Sequence, residues 1–325
     1  MPLNPDLEPV ILPMELKFGQ APTTQFQNHL DAFKLELVDS PARLQAWNVA
    51  WHYVKATWAD HPTINPMDAT PRELSKNLED VFAGRTLPAP MECLGFTFRL
   101  SGMSFQQVTH VIRHRAGTFA AQCTGDRDLR DDGAVIPEAV ENSPEYLERW
   151  QRLVLDSKQL YADMTDSKVV SMMDARMILP KCMTSFYYMR LPLKEIIGFI
   201  YQRMDKQIQP SEDNLSALMM AIEVAKVLPE FTTVIDFDKP DMHYIKTFRF
   251  KDGDKWVSRG TNLYWPEPKN DKFEYHPNDT IYQGLREDIK GTHPPEGPTK
   301  FQMKWDELMN EWNELKAEHN RWKEG

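Results

Sequence analysis

The chain has 325 residues, 41% of them hydrophobic and 11% aromatic, which is ample for a packed core and excludes wholesale disorder. Its formal net charge of -10 argues against a basic surface that grips nucleic acid, so an anionic ligand must meet a local cluster of Arg and Lys. Three cysteines, Cys93, Cys123 and Cys182, are odd in number and lack metal-ligand spacing, so neither a disulfide framework nor a metal site is expected.

No run of about 18 apolar residues appears, so no membrane-spanning helix is expected. The first ten residues have neither a basic start nor an apolar stretch of signal-peptide type, which points to the cytoplasm. Residues 1–32, rich in Pro, Gln and Asn, show no clean periodicity and read as an extension or arm. Phe33 to Val38 alternates apolar and charged side chains, the pattern of a half-buried strand. Asp39 or Ser40 then caps a helix with Pro41 in its first turn, and a second helix runs from about Thr70 to Phe82. Glu92 to Leu100 reads as a strand ending at Gly102. Ser104 and Gln107 have capping-box spacing and start a helix that carries Phe105, Val108, Ile112, Ala116 and Phe119 on one face. His110, Arg113, His114 and Gly117 fall on another face of that helix.

Residues 124–143 read as a polar loop and 144–163 as an amphipathic helix. A further helix is expected through Val169 and Met173 to Leu179, with Pro180 as its boundary. Residues 181–203 are densely apolar and aromatic around Arg190, Lys194 and Arg203, and 212–228 form another helix. Tyr244 to Phe250 alternates like a strand, and Asp252-Gly253 makes a hairpin turn before Trp256 and Val257. After a Pro- and Gly-rich link at 291–298, the last helix sets Trp305, Leu308, Trp312, Leu315, His319 and Trp322 at three- and four-residue steps. That stripe docks on the body or pairs with a partner helix, docking being the blander reading.

Arg113-His114-Arg115 is the strongest local cluster of cations. Two guanidiniums flanking an imidazole offer donors to a phosphate or to a carbonyl-rich ring such as a flavin, whereas the plain alternative is a cationic helix surface paired to nearby acids. Arg176 and Arg203 lie among core-forming residues, where an unpaired charge is costly. Each needs a protein carboxylate, such as Asp174 or Glu195, or a ligand phosphate.

These segments together resemble the flavin-dependent thymidylate synthases. The family signature is R-H-R followed, after seven residues, by Ser; here Arg113-His114-Arg115 is followed by AGTFAAQ and then Cys123. PMECLGFTF at 90–98 is similar to the family's P-F-E-H-x-x-F-T-F, DARMILP at 174–180 resembles A-R-x-x-L-P, and Arg203 falls at the spacing of a further family arginine. The resemblance covers about residues 33–230. It implies an α+β catalytic core, a sheet flanked by helices, between an N-terminal extension (1–32) and a C-terminal extension (231–325) that adds the hairpin and amphipathic helix.

The resemblance implies a homotetramer with active sites between subunits, bound FAD reduced by NADPH, and methylenetetrahydrofolate as donor of a one-carbon unit to C5 of dUMP. By position, Arg113, His114, Arg115 and Lys194 would contact flavin; His110, Cys123, Arg127, Arg176 and Arg203 would contact the nucleotide. Cys123 is the candidate catalytic residue because it takes the signature Ser position, although no adjacent base is evident that would make it a nucleophile. The chain departs from the family where Thr124-Gly125-Asp126-Arg127 replaces Gly-Arg-Tyr, where His110 replaces a frequent Gln, where Cys93 replaces a flavin-proximal His, and where Pro192-Leu193-Lys194-Glu195 replaces Asn-Ala-Arg-Ser. The first two changes fall near the base and the last two near the flavin, and together they keep two alternatives open. One is a hydroxymethylase acting on dUMP or dCMP to make modified DNA precursors, as in viruses; the other is a non-catalytic relative that binds flavin or nucleotide.

Overall fold

Alternation of apolar and charged residues after Phe33 does produce a strand, and the strands around it build the sheet at the centre of an α+β fold. The structure, a computed structural model, describes residues 16–58, 65–114, 116–122, 124–125, 127–204, 211–237, 248–252, 255–259 and 299–324. In chain order the elements are β1 (Phe26–Asn28), α1 (His29–Ala32), β2 (Lys34–Asp39), α2 (Arg43–Trp58), α3 (Pro71–Phe82), α4 (Ala89–Cys93), β3 (Gly95–Ser104), α5 (Phe105–Val111), β4 (Thr118–Ala121), β5 (Ala134–Ile136), α6 (Glu138–Glu141), α7 (Pro144–Asp166), α8 (Met172–Ala175), β6 (Thr184–Pro192), α9 (Leu193–Arg203), α10 (Ser211–Val227), β7 (Phe248–Asp252), β8 (Lys255–Arg259) and α11 (Lys300–Glu324). The main sheet has the order β2-β3-β6-β4. Period-two burial fits it to its core: Phe96, Phe98 and Leu100 of β3 and Tyr187, Met189 and Leu191 of β6 are buried. No described helix is long and apolar enough to cross a membrane.

The chain divides into two compact units, and it passes from one to the other within β3 and again within β6. The first comprises Met1–Lys34, Ser101–Thr109 and Ala120–Tyr187. Here the expected featureless arm turns out to be a structural part. Its β1 pairs in parallel with β5, matching Phe26 to Ala134 and Asn28 to Ile136. The expected polar loop at 124–143 holds the partner strand, whose Ala134, Val135 and Ile136 are all buried. An acid of that loop and one at the end of α7 clasp the arm: Lys17 pairs with Asp131, Thr23 Oγ1 donates to Asp131 at 2.7 Å, and the backbone N–H of Gly19 donates to Asp166 at 2.9 Å. Buried Arg130 joins Asp128 (3.0 Å) to Asp166 (2.8 Å) and donates to the Gln20 carbonyl at 2.7 Å. Lys158 of α7 is buried with three acceptors, the carbonyls of Thr23 and Asp132 and the Thr24 hydroxyl, which match its three N–H donors.

Gly102 does not end its strand. It holds φ +70° inside β3, and a Cβ there would stand 1.9 Å from the Ala32 carbonyl, so only glycine permits this close approach. The long helix expected through 169–179 is also shorter: α8 covers one turn and Arg176–Ile178 is a 3-10 turn. Lys168 in the left-handed region (φ 57°) and the Ser171 N-cap, whose side chain accepts from the Asp174 N–H, break the path.

The second unit, Leu35–Leu100, His110–Phe119 and Tyr188–Gly325, is mainly helical. Thr70 and Glu73 form the capping box of α3, whose Leu74, Leu78, Val81 and Phe82 are buried on one face. Glu92 and Cys93 lie on α4 rather than on the strand expected there. β7 and β8 pair antiparallel, from Phe248 against Arg259 to Asp252 against Lys255, so Asp252 belongs to the strand; residues 244–247, residues 253–254 and the link at 291–298 lie outside the described residues.

The last helix docks on its own chain, burying Trp305, Trp312 and His319. Phe237 meets the rings of Trp305 and Trp312 at 5.9 and 5.3 Å, and Glu79 of α3 accepts from His319 (2.9 Å) and Lys323 (2.8 Å). Arg43 lies between two indoles, 4.6 Å from Trp47 and 4.7 Å from Trp322. Beneath it, fully buried Glu230 collects Arg43 (2.9 Å), Trp47 Nε1 (2.8 Å) and Ser75 Oγ (2.6 Å) on one carboxylate oxygen.

Candidate functional site

The cationic triplet does not lie on a helix. α5 stops at Val111, Arg113 stands in a turn, and the chain reaches β4 at Thr118. Two weak turn bonds, His114 N–H to Val111 O and Gly117 N–H to His114 O, both 3.4 Å, lead it away from the helix. Gly117 makes the turn possible, because a Cβ there would fall 2.4 Å from the Leu191 side chain. The place of β4 in the sheet thus overrides the helical periodicity of 105–119. Within this connection Arg113 is exposed and His114 is buried. The His114 ring lies 4.8 Å from Phe199, its Nδ1 is 3.7 Å from Glu195, and its Nε2 is buried without a hydrogen-bond partner among the described residues. The imidazole of His114 holds the Glu195 carboxyl below its ordinary range, against the upward push of burial. Arg115 and Cys123 lie outside the described residues.

Arg203 ends α9 almost fully buried and has found a carboxylate, though neither of those expected. Asp213, 1% exposed in the first turn of α10, places Oδ2 2.9 Å from His110 Nδ1 and 3.4 Å from Arg203 Nη1. Arg203 Nη2 donates to the His110 carbonyl at 2.7 Å, and Asn214 Nδ2 donates to the Arg203 carbonyl at 2.7 Å. One buried acid therefore orients two of the proposed nucleotide contacts, and sequence reasoning missed it. The signal was the Glu212-Asp213-Asn214 run opening a helix that is mostly apolar from Leu215 to Ile222.

Arg176 likewise pairs with no acid among its expected partners: Asp174 takes the Ser171 hydroxyl, and Arg176 Nη1 donates to Thr124 Oγ1 at 2.7 Å. Gly125 lies against it, since a Cβ there would be 3.1 Å from Arg176 Nη1 and 2.0 Å from the Met173 sulfur. Arg127 is held through both terminal nitrogens by Asp132, and this pair lines a pocket of about 240 Å³ with Gln122, Ser185 and Phe186. Lys194 makes an exposed ion pair with Glu92 at 2.5 Å. The nominated residues thus divide, with His110, Arg113, His114, Lys194 and Arg203 in the second unit and Arg127 and Arg176 in the first. Among the described residues no cluster of His, Cys, Asp and Glu fits a metal ion. Burial pushes the Cys182 thiol up to about 11, an inert sulfur, while Cys93 is exposed 3.0 Å from the Tyr53 hydroxyl.

Comparison with known proteins assigns the frame. The sequence model of the thymidylate synthase complementing protein family (Thy1) matches residues 37–230, more than half of the chain. The chain belongs to this family. Among curated relatives, the flavin-dependent thymidylate synthase of Pyrococcus furiosus is 23% identical over 165 residues, covering 50% of this chain and 67% of that protein. The flavin-dependent thymidylate synthase of Thermococcus onnurineus is 30% identical over 135 residues, 40% of this chain and 54% of its own length. A solved structure of a protein named UMP/dUMP methylase PolB from Streptomyces cacaoi, bound with 5-Br dUMP, superposes with a TM-score of 0.55 at 17% identity, covering 64% of this chain and 94% of its own. That likeness supports the Thy1-type fold.

Proposed function

We propose that this member of the Thy1 family transfers a one-carbon unit from methylenetetrahydrofolate to C5 of a pyrimidine deoxynucleotide, dUMP before dCMP, using FAD reduced by NADPH. Residues 33–230 are the catalytic part in this reading, working as a homotetramer in the cytoplasm. The observation that carries it is His114, an imidazole buried against Phe199 with a ring nitrogen left unpartnered among the described residues. A buried polar atom of this kind calls for a ligand group, and a carbonyl-rich flavin ring fits it. FAD supplies the electron and one-carbon chemistry when bound. The chain's part is to bind and orient. Arg113, His114, Arg115 and Lys194 hold the flavin, Glu195 fixes the His114 ring, and Arg176 and Arg203 hold the nucleotide through its phosphate or base carbonyls.

The clasp of Arg127 by Asp132 supports a second reading for the product. A guanidinium already taken by a carboxylate reads a base differently from a free one, which keeps the hydroxymethylated product open. Incubation with dUMP or dCMP, methylenetetrahydrofolate and NADPH, followed by product mass, decides between them. A methyl gain is expected on dUMP, a hydroxymethyl gain selects the second reading, and no gain on either nucleotide from protein loaded with FAD sinks both.

Asp213 provides a narrower prediction. Asp213→Ala is expected to raise the nucleotide dissociation constant by about 30-fold or more while FAD content is retained, because Arg203 and His110 lose their shared anchor. Asp213→Asn is expected to recover part of the loss, since its amide oxygen still accepts from His110 Nδ1. Calorimetric titration with nucleotide checks this, and equal affinity in the wild type and the Ala variant would remove Asp213 from the site.

A further inference from the structure

The arm at residues 16–28 precedes the stretch that matches the family model, yet its bonds run to the loop that carries Arg127. Lys158, midway along α7, is fully buried against that arm. Its ammonium donates to the Thr23 carbonyl, to Thr24 Oγ1 at 2.6 Å and to the Asp132 carbonyl at 2.7 Å. Three N–H donors meet three acceptors, two on the arm and one on the loop. Turning the ammonium away from any of them would strand a buried polar group, so it acts as a fixed point between arm and loop.

Asp132 is where these bonds end on the loop. Its N–H donates to the Leu129 carbonyl at 3.1 Å, its own carbonyl accepts from Lys158, and its carboxylate accepts from both terminal nitrogens of Arg127, at 2.7 Å for Nη1. The next residue is held as closely. The Gly133 carbonyl accepts from the Thr184 N–H at 2.9 Å, and a Cβ on Gly133 would stand 3.3 Å from both the Gln25 carbonyl and Thr184 Oγ1. The loop thus passes close to the arm and to β6 at once, and it sets Arg127 and Asp132 on the pocket that Gln122, Thr184 and Ser185 also line. Other ties of the arm end on Asp128, Asp131 and Asp166, whereas Lys158 reaches the residue that clasps Arg127. We propose that the arm is a strap that presets Arg127, with Lys158 as a positioning residue that acts through Asp132. This rests on the reading of Arg127 as a group that faces the pyrimidine. Pinned through its backbone, Asp132 holds the guanidinium in one pose before the nucleotide arrives, so binding need not order it.

Hydrogen exchange of the ligand-free full chain and calorimetric titration with dUMP test this together. In Lys158→Met, amide exchange across 127–133 is expected to quicken by about tenfold or more, while α3 and α10 of the second unit keep their protection. The dUMP dissociation constant is expected to rise about tenfold, because the guanidinium must now be ordered on binding. In the Asp132→Ala background the same substitution is expected to change that constant by less than about twofold, since the clasp through which Lys158 acts is already gone. A lysine that only stabilises the fold would give the same penalty in both backgrounds. Thr24→Val removes one acceptor and little volume, is expected to shift both readouts about threefold in the same direction, and decides the question if Lys158→Met fails to fold. Unchanged exchange at 127–133, or equal penalties with and without the Asp132 side chain, would overturn the inference. A wild type that binds no nucleotide sinks the proposed reaction instead, and the exchange result then judges the strap by itself.

Discussion

Replacing Arg130 by Met is expected to lower the unfolding free energy by about 3–5 kcal/mol, because it strands a buried carboxylate rather than removing a pair. Arg130 is fully buried, Asp128 is nearly so, and the same guanidinium ties Asp166 and the Gln20 carbonyl to the acidic loop. The hydrogen bond that Arg130 donates to Asp166 and the charge of Asp128 keep Arg130 protonated at any ordinary pH. Denaturant unfolding measures the loss, and limited proteolysis between residues 16 and 25 reports release of the arm. A loss under about 1 kcal/mol with an uncut arm would show that the clasp is not a structural element. Acid should loosen the same region. Hydrogen bonds from Lys17 to Asp131 and from Arg130 to Asp166 hold these two carboxyls below the ordinary aspartate range. Their contribution is therefore complete above that range and is lost as pH falls through their lowered values.

The second large effect is expected at Glu230. Glu230→Ala leaves Trp47 Nε1 and Ser75 Oγ without their acceptor and removes the carboxylate under Arg43, for an expected loss of about 3–5 kcal/mol. Glu230→Gln keeps an amide oxygen for the indole and the hydroxyl and should lose about half as much. Because Arg43 also lies between Trp47 and Trp322, loosening it frees the last helix from α2. Unfolding followed by tryptophan fluorescence reads both events. Equal midpoints for wild type and Glu230→Ala would show that the buried acid adds nothing.

Local chemistry was legible wherever it met no competing demand. The helix expected from about Thr70 to Phe82 is α3, and the structure adds the capping box of Thr70 and Glu73 that starts it. The periodicity of 144–163 and 212–228 marked α7 and α10. The order and spacing of Arg113-His114-Arg115, Arg176 and Arg203 pointed to the family to which residues 37–230 belong. Spacing along a chain is a covalent property, so a motif of this kind needs no fold to be seen.

The helix drawn through 105–119 shows where such reading stops. Its apolar residues keep helical spacing, yet β4 takes residues 118–121 because the sheet offers it a ladder of backbone hydrogen bonds. Arg203 was recognisable as a charge needing a partner, but Asp213 stands ten residues away, and which acid meets it depends on how α9 turns into α10. The arm seemed featureless because its binding energy resides in loop acids more than 100 residues distant, as for Lys17 and Asp131. Sequence by itself thus determined the periodic helices, set by neighbours a few residues apart, and the family motif, set by order and spacing along the chain. Tertiary structure alone decided the end of α5, the clasp on the arm, the acid beneath Arg203 and the docking of α11, because each is a pairing between distant segments whose free energy exists only when the chain has brought them together.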